Sequence, residues 1–216
     1  MSGEETRRLR IGISACLLGE QVRYDGGHKR DSFLLDLFGP FVEWVPVCPE
    51  VEIGLGTPRP AMRLVRIGAD TRMVTPETGA DHTEAMREYA ERRVRELMGE
   101  RLSGYIFKKD SPSCGMEGVK LYPAEGGEPA REGRGLFAET LLRLWPDLPV
   151  EEEGRLHDPL LRESFIARIL GREVSSPPPR RYSDETAQAF DPFPDPRPDG
   201  PAGVRGHPLQ GGHEDR

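Results

Sequence analysis

Residues 9–16 read LRIGISAC. Leu9, Ile11 and Ile13 fall on alternate positions, the period of a strand. The strand runs into Cys16, and a loop marked by glycines from Gly19 to Gly27 follows. The same order returns twice. VEWVPVC (42–48) reads as a second strand that ends at Cys48 and Pro49. GYIFK (104–108) reads as a buried strand, with Cys114 a few residues beyond it in KDSPSCG. Each cysteine therefore lies where a predicted strand gives way to a loop. In a parallel α/β sheet the carboxyl ends of the strands share one edge, and ligands bind along that edge.

Helical patterns separate these strands. Residues 31–39 predict a short helix with Phe33, Leu34, Leu37 and Phe38 on one face. EIGLGTPRPA (52–61) reads as a loop, and 62–67 with 72–75 as a hairpin around Gly68-Ala69-Asp70. The clearest helix is 82–98. Asp81 and Glu84 form a capping-box-like start, and Gly99 suits its stop. VKLY (119–122) is another short strand, 135–145 a helix, and PVEEE (149–153) an extended run. Asp158-Pro159 opens a last helix, with proline at the favoured first position, and Gly171 ends it. Strands alternating with helices predict an α/β fold: a layered sandwich around a mostly parallel central sheet, with its site at the carboxyl ends of the strands.

The chain has 216 residues. Residues 8–173 have an ordinary globular composition and are long enough to bury a core. Residues 174–216 differ. They hold nine of the 21 prolines and nine hydrophobic residues in 43 positions, which is too little apolar surface to offset ordering. This segment reads as a disordered tail, either a plain spacer or a partner-binding segment with Tyr182, Phe190 and Phe193 as its contacts. His207 and His213 also fall in it and make no metal spacing with His157. No apolar run approaches the roughly 18 residues of a membrane span, and MSGEETRRLR does not read as a signal peptide. The net charge of −7 argues against a nucleic-acid backbone as partner, although a few local arginines suffice for a small anion.

Three cysteines without a secretory signal predict a reducing, cytoplasmic compartment and no disulfide framework. Their chemistry stays open at this point. Three convergent thiolates suit a catalytic zinc, or an iron–sulfur cubane whose fourth iron is open to substrate. Cysteines are equally common as small core residues, and spacing alone does not separate these readings. Cys114 beside Lys109 also fits a thiol nucleophile, although no histidine is evident nearby. A non-enzymatic module holding a structural metal is a further reading.

Longer stretches are more specific. ISACLLGEQVRYDGGHKRD (13–31), VPVCPEVEIGLGTPRPAMRLV (45–65), GYIFKKDSPSCG (104–115) and LPVEEEGRLHDPLLRESF (148–165) resemble, in order, the thiouracil desulfidase family. The resemblance runs from about residue 10 to 170. It implies a [4Fe–4S] cluster held by Cys16, Cys48 and Cys114, with one iron open to the sulfur of a thiolated uracil. It also implies cleavage of the carbon–sulfur bond without net redox change, water supplying the oxygen. Some relatives carry an additional C-terminal domain associated with thiolated RNA, and none is expected here. The expected substrate is therefore a free thiobase or thionucleotide, with a thiolated tRNA base as the alternative.

A water attacking a thiocarbonyl carbon needs a proton acceptor. Glu50, in the CPE pattern of the family, is the expected base. Glu52 ranks second, because a strand-like path would place it on the same side. Ser111 is expected to handle a proton or the substrate, and Ser113 to bind substrate. Asp25, His28 and Lys29, in RYDGGHKR, are expected to recognise the uracil edge or a phosphate; a polar surface loop is the plainer reading. Arg59 and Arg63 are further candidate anion contacts. Ser14 is a candidate partner for a cluster sulfur, and one of Lys108 and Lys109 should face the site by strand alternation.

Overall fold

The computed structural model describes residues 8–171. The proline-rich segment 174–216, with the expectation of disorder attached to it, lies outside the described residues.

Four strands form a central parallel sheet: β1 (Leu9–Ser14), β2 (Val42–Val47), β5 (Gly104–Phe107) and β8 (Val150–Glu152), in the order β2-β1-β5-β8. Every neighbouring pair is parallel. Ile13 lies opposite Pro46 on one side and Ile106 on the other, and Phe107 lies opposite Glu152. The edge that carries Cys16, Cys48 and the segment before Cys114 is thus one continuous edge.

Strand alternation sorts the side chains between two layers of helix. Ile11, Ile13 and Ile106 point to one face. There they pack with Leu34 and Phe38 of α1 (Ser32–Phe38) and with Phe165 and Ile169 of α5 (Pro159–Ile169). Val45, Val47, Tyr105 and Phe107 point to the other face. They meet Met86, Tyr89 and Val94 of α3 (Thr83–Gly99) and Phe137 and Leu141 of α4 (Leu136–Leu144). Gly12 is small for a reason of space: a Cβ on it would stand 2.3 Å from the Tyr105 ring.

Several elements differ from the expectation. The hairpin and the VKLY strand do not join the central sheet. β3 (Arg63–Ile67), β4 (Asp70–Val74), β6 (Val119–Pro123) and β7 (Ala130–Gly133) make a second sheet, in the order β4-β3-β6-β7. Leu64, Met73, Val119 and Leu121 of this sheet pack into the α3–α4 side of the core. β7 has three exposed residues in four, so it carries no hydrophobic pattern to read. On α1 only Leu34 and Phe38 are buried, while Phe33 and Leu37 are exposed. A four-residue helix, α2 (Pro49–Glu52), opens the stretch that reads as a loop. The clearest helix begins at Thr83; Asp81 accepts a hydrogen bond from Thr83 N at 2.8 Å instead of forming a capping box with Glu84. The last helix begins as expected, with the Asp158 carboxylate accepting from Leu160 N and Leu161 N.

Candidate active site

Cys16 lies in a 3-10 turn, Ala15–Leu18, directly after β1. Cys48 is the residue before α2, directly after β2. Cys114 lies in the loop after β5. All three thiols are free, Cys16 and Cys114 are buried, and Cys48 is partly exposed. Burial pushes the Cys16 thiol up to about 11, against the pull of the Lys108 ammonium. Burial, with the Glu50 carboxylate adding to it, pushes Cys48 up to about 12. Burial raises Cys114 as well, Glu50 again adding to it. The Glu50 carboxylate thus acts on all three thiols.

Glu50 is only 8 % exposed. Its Oε1 accepts a hydrogen bond from Ser113 Oγ at 2.7 Å, and its Oε2 stands 3.7 Å from Cys48 Sγ. Ser113 is fully buried, and its Oγ is also 3.4 Å from Cys114 Sγ. Ser111 is one step removed: its Oγ is 3.0 Å from Ser113 Oγ and accepts from the backbone N–H of Ser113 and Cys114. The serine in contact with the candidate base is therefore Ser113, with Ser111 behind it.

Glu52 takes a different part from the one its sequence position suggests. In a helix, residues two apart point about 200° from each other. α2 therefore turns Glu50 toward the thiols and Glu52 toward α3. Glu52 Oε1 accepts from Cys48 N at 3.0 Å, and Oε2 accepts from Tyr89 Oη at 2.7 Å and pairs with Arg93 at 3.3 Å. Glu52 thereby holds the Cys48 backbone and has little left for a substrate.

The next strand end adds two charges. Lys108, after β5, and Glu153, after β8, form an ion pair with side chains 15 % and 10 % exposed. Sequence reading passed over Glu153, although it stands at a strand's carboxyl end like the cysteines. Ser14 Oγ accepts from Lys108 N at 3.0 Å, and its hydroxyl favours the Cys114 thiolate. The loop with Asp25, His28 and Lys29 is exposed. Asp25 Oδ1 accepts from Gly27 N and His28 Nδ1 from Arg30 N, so both side chains brace the loop. Lys29 N donates to Cys16 O, which ties the loop to the site by its backbone. Arg59 reaches the site's rim, where its guanidinium donates to Val22 O.

The loop that carries Cys114 also caps a helix. Pro112 O accepts from Leu136 N, and Ser113 O accepts from Phe137 N and Ala138 N at the start of α4. α4 has no side-chain cap, so these carbonyls satisfy amides that would otherwise lack partners.

The profile of the 2-thiouracil desulfurase family matches residues 11–153, a span that holds all three cysteines, Glu50 and Glu153. The chain belongs to the 2-thiouracil desulfurase family. Among solved structures it is similar to a [4Fe-4S]-dependent thiouracil desulfidase, TudS. The two are 34% identical with a TM-score of 0.57, over 73% of this chain and 99% of that one. Among curated proteins it is 34% identical over 110 residues to the uncharacterized protein YbbK of Bacillus subtilis (strain 168), 49% of this chain and 72% of the relative. As a desulfurase of this family, the chain is an enzyme that cleaves a carbon–sulfur bond. No helix among the described residues is long and apolar enough to cross a membrane.

Proposed function

We propose that this enzyme hydrolyses a small thiolated uracil, as the base or its nucleotide, to the uracil and sulfide in the cytoplasm. The observation that carries the reading is the buried Glu50 carboxylate set among three free cysteines and hydrogen-bonded to Ser113. The donor set fits an iron–sulfur cluster. Three soft thiols stand at three adjacent strand ends, with hydroxyls and an ammonium around them. Among the described residues no group of three or more His, Cys, Asp or Glu is arranged to hold a metal ion. What supports a cluster is the similar solved structure, which is [4Fe-4S]-dependent. Cys16, Cys48 and Cys114 would hold it, and with three protein ligands it would supply a thiophilic, Lewis-acidic iron to the substrate sulfur.

The remaining chemistry belongs to the chain. Replacement of C=S by C=O consumes one water and yields H₂S. Glu50 accepts a proton from the attacking water and returns it to the departing sulfide, so no electron is gained or lost. Ser113 aims the Glu50 carboxylate, and Ser111 aims Ser113. The buried setting of Glu50 keeps bulk water from competing for that proton. The Asp25–Lys29 loop, tied by its backbone to Cys16 O, is our candidate for recognising the uracil edge or a phosphate. A net charge of −7 favours such a small substrate over thiolated RNA.

The test is sulfide release from 2-thiouracil, 4-thiouracil and 4-thiouridine monophosphate by anaerobically reconstituted protein, beside Glu50→Gln. Release by the wild type from at least one substrate is expected. Glu50→Gln should keep its iron and lose roughly 100-fold or more in turnover, the scale of a general base. Normal turnover by an iron-loaded Glu50→Gln would contradict the assignment of the base.

A further inference from the structure

We propose that Lys108, held by Glu153, is a positioning residue that supplies the fixed positive charge on the Cys16 side of the site and sets the charge balance of the cluster. The inference rests on the three cysteines being cluster ligands.

The geometry leaves Lys108 little freedom. Its backbone N–H donates to Ser14 Oγ, two residues before Cys16. Its ammonium donates to Glu153 Oε1 and to Lys109 O. The carboxylate is itself fixed: Glu153 Oε2 accepts from Lys109 N at 2.7 Å, and Glu153 N donates to Phe107 O. An ammonium has three protons to give. The third has no acceptor among the described residues.

Lys108 and Cys16 follow neighbouring strands, β5 and β1, at the same edge of the sheet, and Ser14 Oγ ties the Lys108 backbone to the end of β1. Burial works against a charged lysine here, but the Glu153 carboxylate outweighs it and holds the Lys108 pKa above its ordinary value. The pairing with Glu153 thus favours the charged lysine. A buried ion pair is costly to desolvate and is weak evidence for stability. A surface lysine would neither be held so nor act so strongly, because water screens it.

A cation beside an iron–sulfur cluster favours the electron-richer state, because the cluster's potential follows the net charge around it. Lys108 and Glu153 must therefore push the potential in opposite directions. The experiment is a redox titration of the reconstituted full chain, followed by electron paramagnetic resonance, with iron counted on the same samples. Lys108→Met is expected to shift the midpoint potential negative. Glu153→Gln, which leaves the ammonium unopposed, is expected to shift it positive. Lys108→Arg, which keeps the charge, should stay near the wild type. A purely structural pair would give both variants the same defect, namely lost iron. Shifts of the same sign, or none in iron-loaded variants, would overturn the proposal. If Lys108→Met does not fold, the positive shift of Glu153→Gln against an unmoved Lys108→Arg still decides it. A folded wild type that takes up no iron would overturn the ligand reading itself, and the proposal with it.

Discussion

Glu152 is a carboxylic acid with 1 % of its surface exposed, one residue from the Glu153–Lys108 pair. Burial pushes its pKa from 4.5 up to about 7, against the hydrogen bond it accepts from Met116 N at 2.7 Å. The folded state thus favours its protonated form. The stability this gives is complete below about pH 4.5 and is lost as the pH rises to about 7. Linkage bounds the loss at about 3 kcal/mol. Urea unfolding at pH 5 and pH 8 checks this. The wild type should weaken at pH 8, and Glu152→Gln should weaken less. Equal pH dependence in the two proteins would contradict it. The same scale shows what spacing conveys. The CPE pattern singles out Glu50 as the expected base, and in the fold its buried carboxylate stands beside Cys48 and Ser113. The pattern is not enough to place Glu52, because four residues of helix after Cys48 carry no periodicity long enough to read. A strand-like path puts the two acids on one side; the helical turn puts them on opposite sides.

Elements hold the cysteines through backbone contacts. Gly135 precedes α4 with φ −63° and ψ 138°, an ordinary extended conformation, so its value is space and not conformational freedom. A Cβ there would stand 2.4 Å from Ser113 C and O and 2.7 Å from Cys114 N. The helix start and the Cys114 loop are in contact at this point, and neither can give way without moving the other. Gly135→Ala should therefore cost about 2 kcal/mol in urea unfolding and lower the iron retained after desalting. A variant within about 0.5 kcal/mol of the wild type, with full iron, would show that the loop is not seated by α4. This contact was illegible in the sequence, since GRG before a helix reads equally as an ordinary loop. The junctions at Cys16 and Cys48 were legible, because a strand's period ends visibly just before each thiol, and Cys114 was legible as lying in the loop after a strand.

On the scale of the whole molecule, one sheet edge gathers the chemistry. The order β2-β1-β5-β8 places Cys48, Cys16, Lys108 and Glu153 in sequence along it, with Cys114 on the loop from β5. Alternating strands and helices make that layered sheet legible. The second sheet was not, because strand pairing depends on partners far apart in sequence, and β7 exposes most of its side chains. That sheet closes the α3–α4 side of the core and leaves the cysteine edge to the central one. The proposed function requires that this edge hold a four-iron cluster on three cysteines. Iron and acid-labile sulfide analysis after anaerobic reconstitution tests it most directly, on the wild type and on Cys16→Ser, Cys48→Ser and Cys114→Ser. About four irons and four sulfides per chain are predicted for the wild type, with marked loss in each variant. A folded wild type without iron, or variants that keep the full complement, would contradict it.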